Sequence, residues 1–127
     1  MFAKIGCFVF LVVSGVGVMR SEDLFRGEWV NKSPVTNGIA AILVRASGTD
    51  LLAHVWGTCR PVNCDWGESE LERQGSALHV TWWQGFATVT QTLTLVDDTT
   101  LRIDTFNHFT DYSGRKDFTQ TDFDVRR

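Results

Sequence analysis

The stretch ATVTQTLTL, residues 87–95, alternates without a break: Ala87, Val89, Gln91, Leu93 and Leu95 against Thr88, Thr90, Thr92 and Thr94. A period of two puts the two sets on opposite faces of a β-strand, one face mostly apolar and one hydroxylated. The neighbouring segments read the same way. Leu101, Ile103, Thr105 and Asn107 alternate with Arg102, Asp104, Phe106 and His108, and Leu78, Val80 and Trp82 alternate with His79, Thr81 and Trp83.

Working outward, no helical period longer than two turns occurs after Phe25. Short runs rich in Val, Ile, Thr, Trp and Phe recur instead, divided by turn signals. They predict eight strands, at 27–32, 38–46, 51–58, 65–73, 77–84, 87–95, 100–108 and 116–125. Most connections are short enough for hairpins between sequential antiparallel neighbours. Eight such strands must hide two edges, and closing on themselves does so completely. The expected fold is all-β, an eight-stranded antiparallel up-and-down β-barrel, of the size that leaves room for one small ligand. A sandwich is the competitor, but it would need longer crossovers than the chain shows. The run Ile39-Ala-Ala-Ile-Leu-Val44 is apolar on both faces, so strand 38–46 is the expected contact of a homo-oligomer.

The chain has 127 residues, 43% apolar and 21% charged, which suits one globular domain. A net charge of −3, with no basic run and no phosphate-binding glycine loop, gives no reason to expect nucleic acid. Residues 1–17, weakly basic at Lys4 and then apolar, have the layout of a secretory signal peptide, with an alternative boundary near residue 21. The barrel would occupy 22–127 and have no stable membrane span after processing. Removal of the leader takes Cys7 with it. Cys59 and Cys64 remain, an even pair on an exported chain, and are expected to form a disulfide. Cys-x4-Cys lacks the further ligands of a zinc site, so neither a metal nor another cofactor is expected.

Gly27-Glu-Trp29-Val-Asn31 at the first strand and Arg126-Arg127 at the last resemble the calycin pattern of lipocalin-like and avidin-like barrels. The resemblance implies that Trp29 packs across the barrel floor with a late basic residue, Arg126, over its indole. The combination G-x-W-V-N, H-x-W-G-x-C…C-D-W-G and H-F-T-D-x-S-G-R is also similar to a family of uncharacterised exported bacterial domains. That similarity implies a periplasmic or extracellular location and brings no activity with it.

Two segments carry the residues with chemistry. His54 and Trp56 share a face of strand three, directly before the Cys59–Cys64 loop and Asp65. Phe106 and His108 share a face of strand seven, before a turn containing Asp111. Strands three and seven run the same way in an up-and-down barrel, so both loops lie at one mouth. The expected ligand site is therefore His54, Trp56, Phe106 and His108 as pocket wall, with Asp65 and Asp111 at the rim. An indole beside an imidazole suits a small apolar or mixed-polarity ligand held without catalysis. Two other classes remain. A His–carboxylate pair such as His108 with Asp104 or Asp111 would serve an isomerase or cyclase. A secreted interaction module or inhibitor would use the outer face of strand two and Trp83.

Overall fold

The computed structural model describes residues 21–33 and 38–127. The leader assigned to 1–17, and Cys7 within it, lie outside the described residues. A short 3-10 helix, Ser21–Phe25, leads into eight strands. These are β1 (Gly27–Val30), β2 (Ile39–Ser47), β3 (Asp50–Gly57), β4 (Cys64–Gln74), β5 (Ala77–Trp83), β6 (Ala87–Leu95), β7 (Thr100–Phe109) and β8 (Phe118–Arg126). They form a closed barrel in sequence order, every neighbour antiparallel, with β8 returning to β1. The eight-stranded up-and-down barrel is thus observed.

The two ends of the series depart from the expected boundaries, and at each a side chain bonds the backbone where the strand stops. β1 stops at Val30; the Asn31 N–H still bonds the Ala40 carbonyl at 2.9 Å, and the Asn31 side-chain amide donates to the Ile39 carbonyl and to Asp122. β8 begins at Phe118 because the Asp117 carboxylate accepts the Phe109 N–H in place of a backbone carbonyl.

The interior follows the alternation read at 87–95. Ala87, Val89, Gln91 and Leu93 of β6 face inward with Leu78, Val80 and Trp82 of β5 and Leu101, Ile103 and Thr105 of β7. In β2 the register shifts between Ile39 and Ala41. That irregularity turns Ile39, Ile42 and Val44 all inward and leaves Ala41 and Leu43 half-buried outside. A two-faced apolar run is therefore partly a bulge in disguise.

Trp29 is fully buried and its Nε1 donates to the Phe25 carbonyl at 2.8 Å. Arg126 lies over the indole, its Cζ 4.1 Å from the ring centroid. Its guanidinium reaches the carbonyls of Leu24, Arg26 and Asp98 at 2.6, 2.6 and 3.0 Å. One end of the barrel is thereby plugged. Gly27 makes the approach possible: it adopts φ +125°, and a Cβ there would stand 2.8 Å from Arg126 Nη1.

At the other end the wall parts. The β4–β5 ladder holds over only three pairs, Glu72–His79, Arg73–Leu78 and Gln74–Ala77. Toward the opposite rim the strands separate, which makes room for a cavity.

Candidate functional site

The segments 31–33, 58–63, 84–86 and 110–117 follow the four strands that run in one direction, so they cluster at the unplugged end. Between them opens a cavity of about 570 Å³. Trp66, Phe86, Phe109 and Phe118 form its aromatic wall. Gln84, Asn107, Gln120, Thr58 and Thr105 supply amides and hydroxyls, and Arg115 is its charged residue.

Trp66 enters the lumen through a bulge. Val55 pairs with Gly67 but Trp56 pairs with Asp65, so Trp66 has no opposite number on β3. The extra residue re-aims its side chain inward, where it packs on the core and meets Trp82 edge to face at 5.8 Å. Beneath it a polar chain crosses the buried interior. Trp82 Nε1 donates to Gln91 Oε1 at 2.9 Å, and Gln91 Nε2 donates to Thr105 Oγ1 at 3.3 Å. The Cys59–Cys64 disulfide is present, with Cα atoms 5.4 Å apart, and both cysteines border the cavity. Thr58 Oγ1, on the same wall, is buried without a partner among the described residues.

Arg115 is held in a defined pose above the rings. Its Cζ lies 4.2 Å from the Phe109 centroid and 5.5 Å from that of Phe86. Nε donates to Ser113 Oγ at 2.9 Å and Nη2 to Asp111 Oδ2 at 2.6 Å. Bonding from Ser113 first, and then from Arg115, holds the Asp111 carboxyl down at about 2, so it is ionised at any ordinary pH.

The structure places all four expected wall residues outside. On β3 the inward set is Leu51, Ala53, Val55 and Gly57; His54 and Trp56 therefore stand on the outer wall. They stack there with ring centroids 4.1 Å apart, and His54 Nε2 meets Asp65 Oδ1 at 2.5 Å. The Gly67 N–H and then His54 lower the Asp65 pKa. On β7 the inward set is Leu101, Ile103, Thr105, Asn107 and Phe109, so Phe106 and His108 also face out. His108 Nδ1 bonds the Asp117 carboxylate at 2.9 Å, both side chains about half exposed. Two His–carboxylate pairs thus exist, but both lie in the open. Asp104 is bonded to Arg102 and Thr121 instead, and Asp111 to Arg115. The reason is packing. Leu51, Ala53 and Val55 of β3 and Leu101 and Ile103 of β7 fill the lumen, so the strand period sends His54, Trp56, Phe106 and His108 to the opposite face. Among the described residues no three of His, Cys, Asp or Glu converge to hold a metal ion.

Phe109 continues the Leu101–Asn107 set of β7, the face opposite the one expected to line the pocket, and Phe86 and Phe118 come from a turn and a strand end where alternation is silent. No family model, curated protein or solved structure matches the chain. The barrel itself, with its Trp29–Arg126 plug, is consistent with a calycin-like fold.

Proposed function

We propose that the protein is an exported, non-catalytic binding module that takes one small ligand of mixed polarity into the barrel mouth. The carrying observation is the cavity of about 570 Å³, with aromatic rings on its wall and side-chain amides around them. That volume and lining suit a molecule with a flat or aliphatic body and a few hydrogen-bonding groups. The buried Trp82–Gln91–Thr105 chain and the disulfide brace the site from below and beside it, which favours binding by a preformed surface. The disulfide also favours an oxidising compartment. Acid–base catalysis is less well supported, because both His–carboxylate pairs lie on the outer wall. Trp83, 81% exposed, supports a second reading in which the outer wall contacts a protein partner.

The test is native mass spectrometry of protein purified gently from its host, beside Asn107→Leu and Phe86→Ala variants that retain the wild-type near-ultraviolet circular dichroism. A reproducible small-molecule adduct on the wild type, lost from the variants, is the expected result. A bare wild type whose tryptophan emission also ignores a panel of amphipathic ligands overturns the reading.

A further inference from the structure

The mouth differs in charge from the rest of the molecule. Its described loop residues carry Lys32, Arg60, Arg115 and Lys116 against Asp111 and Asp117, a net +2, or +1 with Asp65 at the adjoining start of β4, on a chain whose net charge is −3. Long-range attraction at this end therefore favours negative species, while the molecule as a whole repels them. Within the cavity the same sign appears at close range, where Arg115 is the charged lining residue.

Arg115 is also prepared for such a contact. Ser113 and Asp111 engage Nε and Nη2, and among the described residues Nη1 has no partner. The Asp111 carboxylate is itself tied back into the turn by the Ser113 N–H at 3.1 Å. It fixes the guanidinium plane rather than closing it off. Phe109 and Phe86 lie under that plane and exclude water from one side, which strengthens a charge-assisted bond made on the remaining edge. Of the two interior acids, Asp122 is engaged by the Ile39 N–H and the Asn31 side-chain amide, and Asp124 lies one inward position deeper along β8; neither lines the cavity.

Resting on the mouth-cavity reading, we propose that the bound ligand carries an anionic group, a carboxylate or its sulfonate or sulfate equivalent, which Arg115 receives at the rim. The apolar body of the ligand then lies between Trp66, Phe109 and Phe118, and the cavity amides meet its neutral polar groups.

Two fluorescent probes that share an aromatic body separate the claims: anilinonaphthalene sulfonate, which is anionic, and phenylnaphthylamine, which is not. Both are expected to bind the folded wild type, the sulfonate more tightly. Arg115→Gln is expected to weaken the sulfonate about tenfold and to leave phenylnaphthylamine within about twofold. A second readout uses the wild type alone. Raising sodium chloride from about 20 to about 300 mM is expected to weaken the sulfonate and not the neutral probe. If both probes bind, but neither salt nor Arg115→Gln distinguishes them, the anion proposal fails and the pocket stands. If neither probe binds the folded wild type, the pocket reading fails and takes this proposal with it.

Discussion

Gly57 lies against the edge of the Trp66 indole: a Cβ on Gly57 would stand 2.9 Å from Trp66 Nε1 and 3.4 Å from its Cε2. The bulge that turns Trp66 inward and the missing side chain at Gly57 are two halves of one arrangement. Gly57→Ala must push back a rigid ring that also packs against Trp82. The variant is expected to lose about 1–3 kcal/mol of stability by overpacking. Its near-ultraviolet circular dichroism should change as the Trp66–Trp82 geometry shifts. An unchanged urea midpoint with an unchanged spectrum would show that the indole has room the structure does not give it.

The plugged end makes a separate prediction. Arg126 bonds three carbonyls, those of Leu24, Arg26 and Asp98, while covering the Trp29 ring. Arg126→Gln keeps a polar side chain but is too short for the three acceptors and loses the cation over the indole. A loss of about 2 kcal/mol is expected, read as a lower urea midpoint without a change of slope. Ligand binding at the opposite mouth should be unaffected, which separates a structural plug from a functional residue.

The barrel was legible because its strands alternate: 87–95 and 100–108 each divide into two sets on opposite faces, as in the structure, although the pocket reading put the Phe106 and His108 face of the second inside. The mouth was legible from strand direction alone, since loops after alternate strands must share an end. The wall of the mouth was harder to read, because alternation says which residues share a face without saying which face is inside. His54, Trp56, Phe106 and His108 carry the richer chemistry, yet Ala53, Val55, Ile103 and Thr105 fit the narrow lumen. Trp66 was not legible as a lumen residue, because the only local mark of the bulge that turns it is Gly67, at φ +87° within the strand. Asp122 and Asp124 do alternate with the exposed Phe123, an inverted pattern in which the acids are inside and the aromatic is out.

The Cys59–Cys64 bridge closes a small ring and so removes little unfolded-chain entropy. Cys59→Ser with Cys64→Ser is expected to cost about 2 kcal/mol on the chain-entropy account. Its larger effect should fall on the cavity, which both cysteines border. The double variant is expected to remain folded at room temperature and to bind the naphthalene probes more weakly than the wild type. Undiminished probe affinity would assign the bridge to hairpin stability alone.

Asp124 is expected to make stability fall with rising pH. It is fully buried, and neither carboxyl oxygen has a partner among the described residues. Burial first, and then the charge of Asp122, push its pKa up to about 8. Asp122 is raised as well by burial, against the opposing bonds from the Ile39 N–H and the Asn31 amide. The other charged group nearby on β8, Arg126, is turned to the carbonyls of the plugged end. The unfolded chain releases the Asp124 proton near pH 4, whereas the folded chain keeps it until about 8. The folded state therefore holds more protons across that window, and its stability falls as pH rises through it, levelling off above. Asp124→Asn is uncharged at every pH and keeps the shape of the protonated acid. It should match the wild type to within about 1 kcal/mol near pH 4 and exceed it by at least about 2 kcal/mol above pH 8. Urea midpoints of both proteins at the two ends of the window are the measurement. Parallel pH profiles would mean that Asp124 is already ionised in the fold, with a cation or water supplying the partner it lacks.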